Sequence, residues 1–425
     1  MNKSDSERIA GALENFGFKA SGLNNADYVF LNLCSVRKSA IDRVWGKIQN
    51  IKTLKHKSNK TIKIILTGCI LPSDIKKFEK KADLILNIND LDKWPQIIKA
   101  LKQKNIKTKL KDYLSVKPKF DSKFQAFIPI MTGCDNFCSY CAVPYTRGRE
   151  RSRSVQSILD EVNKLIVQGY KFIILLGQNV NSYNGGLKFP ELLKKINKIS
   201  GNFWLSFITS HPKDISDELI KCFKTCEHLI PYLHLPIQSG SNKILKDMNR
   251  KYTVEDYLKL IKKIKNINPN INLSTDIIVG FPGETNADFQ NTLKIFKKVK
   301  FDMAYIARYS LRQDTAACKL KDDISIETKK YREQILNNLL KITSLENNKK
   351  LLNKKIKVLI EKKSRDYIYG LTKNFKHVKI KEIKGKNLIG KFVEVKITKA
   401  NIWNLEGELC KLSKKSARKS RLRKR

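Results

Sequence analysis

The chain has 425 residues, with 85 Lys and Arg against 40 Asp and Glu, which gives a formal net charge of +45. The length predicts two to three domains. No signal peptide opens the chain and no apolar run approaches the roughly 20 residues of a membrane span, which argues against secreted and membrane-spanning classes. Nine cysteines in such a chain predict a reducing cytoplasm, and the charge favours a polyanionic partner unless most lysines only cover a solvated surface.

The beginning of the chain predicts a small α/β domain with a parallel sheet, over residues 1–112. Ser4, followed by Glu7 three positions later, predicts a capping box on the first helix. Apolar runs typical of buried parallel strands follow at 28–36, 62–69 and 84–88. Helical patterns alternate with them at about 36–50, 73–80 and 91–103.

Cys34 and Cys69 both stand at the carboxyl ends of predicted strands, where ligands gather in open α/β sheets. One such cysteine alone would be interpreted as a small buried hydrophobic residue. Two in matching positions favour the ligand interpretation. The next segment, 104–123, is polar, rich in Lys and broken by Pro118, and it predicts a linker.

Residues 120–350 predict a partial barrel of six strand–helix units, with strands near 124–132, 170–177, 202–208, 230–236, 271–279 and 302–309. The first strand leads into Cys134, Cys138 and Cys141, in a CxxxCxxC pattern. Three thiolates on one loop are able to hold a [4Fe–4S] cluster with one iron left open. A zinc site is the alternative, but it requires a fourth ligand, and no His or Cys follows nearby.

Polar residues follow the later barrel strands, at the end where barrel active sites gather. Helix capping and turns are the alternative explanation for each one taken singly. The candidates are Gln178, Asn179, Asn181, Tyr183, Thr209, Ser210, His211, His234, Gln238, Ser239, Asp276, Gly280, Gly283 and Glu284.

Four arginines, Arg147, Arg149, Arg151 and Arg153, follow the cysteine loop and predict phosphate contacts at the mouth of the site, with plain surface charge as the alternative. Cys222 and Cys226 lie four apart on a predicted helix without the strand-end context, and we interpret them as structural.

Residues 353–411 alternate with period two and predict an all-β barrel, a fold that binds single strands by stacking and charge. Tyr367, Lys373 and Phe375 are the candidates for that contact, with core packing as the alternative for the aromatic residues. The final segment, 412–425, is strongly basic and predicts a flexible tail that associates with RNA.

The CxxxCxxC spacing resembles the signature of radical S-adenosylmethionine (SAM) enzymes. The stretch VPYTRGRERSR that follows resembles the methylthiotransferases, and within them the tRNA-modifying MiaB type. NLCSVRKSA and TGCILP resemble the second and third cysteine motifs of their amino-terminal domain, and residues 353–411 resemble a TRAM domain. The first strand and first cysteine of that amino-terminal domain do not occur in the sequence. Either the gene start is placed at an internal methionine or the protein is truly truncated, and we expect the first.

This resemblance implies two [4Fe–4S] clusters, one held by the three cysteines of the CxxxCxxC loop and an auxiliary one held by Cys34, Cys69 and the missing cysteine. It implies that Tyr140, Gln178 and Gln238 contact SAM, and that the arginines after the loop contact tRNA. The implied reaction adds a methylthio group to C2 of an N6-prenylated adenosine beside the anticodon. The implied protein is a cytoplasmic monomer that receives electrons from a flavodoxin or ferredoxin type of donor.

Three other functions stay open at this point. Two share the mechanism and differ in the substrate, which is threonylcarbamoyladenosine in tRNA or an aspartate of a ribosomal protein. The third is an RNA-binding protein that keeps the SAM cluster but has lost sulfur transfer, because one auxiliary ligand is missing.

Overall fold

The computed structural model describes residues 1–35, 38–58, 61–94, 97–98, 113–382, 385 and 387–410. The predicted tail and most of the predicted helix at 91–103 lie outside this range. Across the described residues, the search for a helix long and apolar enough to cross a membrane finds none.

The amino-terminal part is a three-stranded parallel sheet with helices around it, as the apolar runs predict. Strands β1 (Tyr28–Cys34), β2 (Lys63–Cys69) and β3 (Leu84–Ile85) lie side by side in chain order. The helices are α1 (Asn2–Asn15), α2 (Lys38–Ser58) and α3 (Pro72–Phe78). The apolar side chains of β2 are fully buried, which is why this strand is a continuous hydrophobic run and not an alternating one.

Two local predictions fail because the amino-terminal part packs tightly on the barrel. Helix α1 begins at Asn2 without a side-chain cap, and Ser4 is buried, donating to the carbonyl oxygen of Phe127 at 3.3 Å. The linker predicted at 104–123 is wrong over residues 113–116, the first of it that the structure describes, since Tyr113, Leu114 and Val116 are buried in the same core as α1. Their apolar side chains outweigh the polar composition of the surrounding segment.

The central part confirms the predicted partial barrel. It contains two three-stranded parallel sheets that continue into each other. The first consists of β4, β7 and β8, and the second of β9, β10 and β11. Leu205 joins the two sheets, because its amide donates to the carbonyl oxygen of His228 and its carbonyl oxygen accepts from the amide of Ile230. The strands are β4 (Gln125–Pro129), β7 (Phe172–Leu176), β8 (Trp204–Phe207), β9 (Tyr232–His234), β10 (Asn272–Val279) and β11 (Met303–Arg308), with a small antiparallel pair, β5 (Met131–Thr132) and β6 (Arg151–Ser152).

The helices between these strands present apolar stripes to a single large core, to which the buried Cys222 and Cys226 contribute, as their structural interpretation expects. Ser and Thr residues at the N-cap positions of these helices accept hydrogen bonds from free backbone amides, as Thr253 and Thr285 do in capping boxes. The helices are α4 (Val143–Arg147), α5 (Val155–Val167), α6 (Phe189–Asn197), α7 (Asp217–Thr225), α8 (Asn242–Asp247), α9 (Val254–Ile267), α10 (Asn286–Val299) and α11 (Ile326–Lys349).

The carboxy-terminal part is a closed five-stranded barrel, in the order β12-β13-β14-β16-β15, and confirms the all-β prediction. It packs against the beginnings of the central strands, where Phe172, Trp204 and Tyr232 share one core with it. The cysteine loop therefore lies at the opposite end of those strands. The barrel strands are β12 (Lys355–Ser364), β13 (Tyr367–Thr372), β14 (His377–Lys381), β15 (Phe392–Ala400) and β16 (Leu405–Leu409).

This packing corrects two of the predicted RNA contacts. Phe375 stacks on Tyr232 with ring centroids 4.4 Å apart, and Lys373 donates to the carbonyl oxygen of Glu227 at 2.9 Å. Both residues hold the two domains together. Tyr367 remains exposed, with the Lys379 ammonium 3.9 Å from its ring centroid.

Candidate functional site

The three cysteines of the CxxxCxxC pattern lie on the loop that follows β5. Gly133 opens this loop with φ of +83°, and a Cβ at this position would lie 2.0 Å from the carbonyl oxygen of Arg149. Only glycine tolerates both the positive φ and that close approach. The loop then continues directly into α4, so that the cysteines are fixed between a strand and a helix.

Each of the three thiols accepts a hydrogen bond from an N–H group. The side-chain amide of Asn136 donates to Cys134 at 3.5 Å, and the backbone amide of Val143 donates to Cys141 at 3.5 Å. Cys138 accepts from the Arg250 guanidinium at 3.3 Å. Such donors stabilise a sulfur that carries negative charge, which is the form that binds metal.

The loop is also largely shielded from water. Burial, followed by the charge of Cys138, raises the pKa of the Cys141 thiol to about 12, and burial raises the pKa of Cys134. Without a cation these thiols stay protonated at neutral pH. In the part of the chain that the structure describes, no three His, Cys, Asp or Glu side chains stand as close together as bound metal ligands. What fits an iron–sulfur cluster is the donor set of three thiols on one loop, each with an N–H partner.

Arg250 is the residue at this site that sequence reasoning missed. It lies 112 positions after Cys138 and is only 7% exposed. Besides the thiol, it donates to the Tyr252 hydroxyl at 2.8 Å and to the carbonyl oxygen of Pro236 at 2.9 Å. The nearby thiol and hydroxyls keep its pKa above the ordinary value despite burial. The stretch MNRKYT carried no signal that we recognised.

The predicted SAM contacts lie at the carboxyl ends of the strands. The side-chain oxygen of Gln178 is buried without a hydrogen-bond partner among the described residues, and the same holds for both amide atoms of Asn181. Buried polar atoms are almost always paired in native proteins. The hydrogen bonds that these atoms lack would be supplied by a polar ligand at the strand ends.

Tyr140 and Gln238 also lie within this region. Tyr140 packs on the buried cluster of Met248, Phe281 and Tyr309. Gln238 is 6% exposed and has φ of +72°, a left-handed conformation that is unusual for a residue with a side chain. Such strained backbone is often found at functional sites.

The remaining strand-end residues form a polar network. The ring of His234 contacts the Ser274 hydroxyl at 2.9 Å and the Asp276 carboxylate at 3.3 Å, and the Ser210 hydroxyl donates to its carbonyl oxygen. Asn179 donates to Asp214 at 2.7 Å. Five of the candidates act mainly in structure, since Tyr183 donates to Arg153, Glu284 pairs with Arg332, Ser239 accepts from Ser241, and Gly280 and Gly283 make turns.

Cys34 and Cys69 lie opposite each other in the register of β1 and β2. The preceding Gly68 has φ of +108°, and a Cβ there would lie 2.2 Å from the carbonyl oxygen of Leu33. Cys69 is buried and accepts a hydrogen bond from Arg147 Nε at 2.8 Å. Burial raises its pKa to about 11, although the neighbouring guanidinium lowers it in part.

The predicted phosphate contacts require a correction. Arg147 is 2% exposed and pairs with Asp5 and Cys69, so it is not available to RNA. Arg153 is also buried and pairs with Glu161 at 2.6 Å. Arg149 and Arg151 are exposed, because successive side chains in this extended segment alternate between interior and solvent.

A cleft of about 310 Å³ lies between the amino-terminal part and the central barrel. Its apolar walls are Ile41, Trp45, Leu71 and Leu311, and its polar lining is Asp42, Ser73, Asp74, Lys77, Arg312 and Gln313.

Two interactions relate the segment of Arg312 to the cysteine groups. The Arg312 guanidinium lies within electrostatic reach of Cys34. On the other side, the segment of Arg312 is fixed to the cysteine loop, since the amide of Ala317 donates to the carbonyl oxygen of Ser139 at 2.7 Å.

Three family models match the chain in succession. The Uncharacterized protein family UPF0004 matches residues 1–87, the Radical SAM superfamily matches 128–296 and the TRAM domain matches 349–410. Among solved structures, the fold is similar to a radical SAM methyltransferase, TsrM, from Kitasatospora setae with cobalamin and a [4Fe–4S] cluster bound. The TM-score is 0.55 at 14% identity, covering 74% of this chain and 73% of that one.

Curated relatives match over nearly the whole length. A tRNA-2-methylthio-N(6)-dimethylallyladenosine synthase of Clostridium novyi (strain NT) is 42% identical over 96% of this chain and 94% of its own. A synthase of the same name from Acetivibrio thermocellus is also 42% identical, over 96% of this chain and 88% of its own. The chain therefore belongs to the family of tRNA-2-methylthio-N(6)-dimethylallyladenosine synthases.

Proposed function

We propose that this protein is a tRNA methylthiotransferase that adds a methylthio group to C2 of an N6-prenylated adenosine beside the anticodon. The observation that carries this proposal is the connection of the two cysteine groups through one short helix. Cys141 precedes α4, and Arg147 at the end of α4 bonds the thiol of Cys69. A helix of five residues is about 7.5 Å long, so this helix and one arginine side chain together span the distance between the two groups.

Cys134, Cys138 and Cys141 would hold a [4Fe–4S] cluster, and Cys34 and Cys69 would contribute to an auxiliary one. When bound, the first cluster supplies an electron to SAM and thereby a 5′-deoxyadenosyl radical. The chain's own contribution is to stabilise the thiolates with N–H donors and to offer SAM the unpaired Gln178 oxygen, the strained Gln238 segment and the Tyr140 ring.

The cleft between the domains would receive the modified adenosine. Its Ile41, Trp45 and Leu311 walls suit a branched alkenyl group, whereas threonylcarbamoyladenosine and an aspartate side chain each bring a carboxylate. The charges of the lining balance, since it holds Lys77 and Arg312 beside Asp42 and Asp74, and Lys77 pairs with Asp74 at 3.0 Å, so the preference rests on the apolar walls. The lining therefore favours the prenylated substrate over the two alternatives with the same mechanism.

RNA contact would come from Arg149, Arg151 and the TRAM-like barrel, where Tyr367 is exposed beside Lys379. We further propose that the protein acts as a monomer in the cytoplasm and receives electrons from a flavodoxin or ferredoxin. The basic composition supports a polyanionic substrate at any of these surfaces.

The test is a substrate comparison with the purified, anaerobically reconstituted protein. Anticodon stem-loops with N6-prenyladenosine or N6-threonylcarbamoyladenosine, and the ribosomal protein, are each incubated with SAM and a reductant. A methylthio product only on the prenylated RNA supports the proposal. Product on either of the other substrates contradicts it, and SAM cleavage without any methylthio product favours the RNA-binding alternative.

The cleft itself is tested by Leu311→Asp, since Leu311 is 40% exposed and its replacement leaves the core intact. Loss of apolar contact with the prenyl group is expected to raise KM for the RNA roughly tenfold. Leu320→Asp is the matched control, because Leu320 is 41% exposed and does not line the cleft. Equal KM values for both variants would show that the cleft does not bind the prenyl group.

A further inference from the structure

Two exposed aromatic rings and one arginine lie together on the rim of the loop that carries the three cysteines. Phe137 directly precedes Cys138 and is 38% exposed, and Tyr145, on α4, is 43% exposed. Their ring centroids are 6.4 Å apart, and the ring planes are nearly perpendicular, at 88°. The Arg149 guanidinium lies over the Phe137 ring, 5.4 Å from its centroid. We call Phe137, Tyr145 and Arg149 the rim cluster.

The backbone at Phe137 is strained and is fixed by hydrogen bonds. Its φ is +45°, a left-handed conformation that is unusual for a bulky side chain. The side-chain amide of Asn249 donates to the carbonyl oxygen of Phe137 at 2.9 Å and to that of Asn136 at 3.4 Å. Such strained residues gather at active sites and ligand clamps, where the surrounding structure holds them in place. The exposed ring therefore stands on a fixed segment of the loop.

The chemistry of the rim cluster fits an unpaired nucleobase. Bases of single-stranded RNA stack on the rings of Phe and Tyr and on the guanidinium plane of arginine. The Arg149 side chain is 72% exposed, and its Nε pairs with Asp135 at 2.9 Å, which orients the guanidinium over the ring. A phosphate beside a stacked base is thus within the chemistry that this arginine offers.

An acidic electron-donor protein is the other class of partner that uses aromatic and arginine side chains. The carboxylates of Asp135 and Glu150 bond each other's backbone amides beside Arg149, at 3.2 and 3.3 Å. They reduce the local positive charge that would attract an acidic protein. Stacking of a base does not depend on that charge, and the net charge of +45 over the whole chain favours RNA.

The position of the rim cluster also fits the proposed reaction. Enzymes that act on a base extrude it from the stack, which leaves the neighbouring bases without a stacking partner. Because Phe137 and Cys138 are adjacent in the chain, a base extruded toward the cysteines brings its neighbours to the rim of the loop. An aromatic ring at the rim replaces the lost stacking partner.

We infer that the rim cluster is a stacking platform for an unpaired base of the anticodon loop next to the modified adenosine. The rings of Phe137 and Tyr145 contact the face of that base, and Arg149 contacts the adjoining phosphate. The inference rests on the proposed action of the protein on an anticodon-loop adenosine.

The test measures RNA binding by the full chain after anaerobic reconstitution. The probe is an anticodon stem-loop with N6-prenyladenosine, used intact or without the base on the 5′ or the 3′ side of the modified adenosine. Phe137→Leu keeps an apolar side chain and removes the aromatic face. Tyr331→Leu is the matched control, because Tyr331 is 64% exposed and belongs to α11.

We expect Phe137→Leu to raise Kd for the intact RNA roughly tenfold. On one of the two RNAs that lack a neighbouring base, the same change should have little effect, because the base that stacks is absent. The dependence of Kd on salt should stay that of the parent, whereas Arg149→Gln should reduce the slope by about one. Tyr331→Leu should match the parent on all three RNAs. A merely structural role of Phe137 would raise Kd equally on all three and overturn the inference.

Iron content is measured for every variant, because Phe137 adjoins a cysteine of the loop. If Phe137→Leu binds less iron than the parent, Tyr145→Leu on the exposed side of α4 decides in the same way. Unchanged RNA affinity together with slower reduction by a flavodoxin would assign the rim cluster to the electron donor and overturn the inference.

The outcomes also separate the inference from the function on which it rests. If the parent modifies the prenylated stem-loop but the loss of affinity does not depend on a neighbouring base, only the stacking platform is wrong. If the parent neither binds nor modifies this RNA, the proposed function fails and the inference fails with it.

Discussion

The guanidinium of Arg250 donates a hydrogen bond to the Sγ of Cys138 at 3.3 Å, from a residue that lies on a different strand–helix unit of the barrel. The same side chain also binds the carbonyl oxygen of Pro236 at 2.9 Å. The loop that carries the radical SAM cysteines is thus fixed to the fourth strand's carboxyl end, where Gln238 lies. Through Arg250, one thiol and one predicted SAM contact are positioned together.

Changing Arg250 to Met is expected to slow reductive SAM cleavage and to lower the potential of the radical SAM cluster, because a charged N–H donor to a ligand thiolate is lost. Arg250→Lys should be intermediate, since it keeps the charge but not the fork of donors. The measurements are 5′-deoxyadenosine release and a redox titration. Wild-type behaviour of Arg250→Met in both would show that this hydrogen bond has no part in the site.

Each of the changes Cys134→Ala, Cys138→Ala and Cys141→Ala is expected to abolish SAM cleavage, because two thiolates do not hold a cluster with an open iron. Cys222→Ala is the control, since that residue belongs to the hydrophobic core. The assay is release of 5′-deoxyadenosine after reduction with dithionite. Cleavage by any one of the three variants would mean that the ligands have been assigned wrongly.

His211 predicts a pH dependence of stability. Burial, with Arg250 and Lys213 nearby, lowers its pKa from 6.5 to about 2. Below pH 6.5 the unfolded chain therefore binds a proton that the folded chain does not, so the free energy of unfolding falls as the pH decreases. Urea unfolding of the cluster-free protein at pH 6.5 and pH 5 should show a loss about 1.5 kcal/mol larger than in His211→Asn. Parallel losses in both proteins would mean that His211 is protonated in the fold.

Removal of residues 412–425 is expected to weaken tRNA binding and to make its dependence on salt shallower, because fewer phosphates are neutralised. SAM cleavage without tRNA should not change. The matched control replaces Ser413, Ser416 and Ser420 by Ala, which keeps every charge of the tail. The affinity is measured over a series of salt concentrations, and an unaltered slope after the deletion would exclude the tail from RNA binding.

Much of the fold was predictable because its signals are local. Apolar runs such as 62–69 have the length of a strand, and the cysteines at the ends of two of these runs mark the carboxyl edge of the sheet. The six strands of the barrel were found for the same reason. The CxxxCxxC loop was predictable because its three candidate ligands lie within eight residues of each other.

The parts that escaped prediction depend on contacts between distant segments. Arg147 and Arg149 are equivalent in sequence, but one is buried against Asp5 and the other faces solvent. Ser4 has the pattern of a capping residue and instead bonds the first barrel strand. Phe375 has the composition of an RNA-stacking residue and instead stacks on Tyr232. In each case the packing of one domain on another determines the contacts of the side chain, and no local sequence pattern indicates that packing.

The most direct test of the account is mass spectrometry of tRNA nucleosides from a strain that lacks this gene. The account predicts that 2-methylthio-N6-prenyladenosine disappears and that its precursor, N6-prenyladenosine, accumulates, with both restored by the intact gene but not by the Cys138→Ala variant. Retention of the methylthio nucleoside in the deletion strain would contradict it.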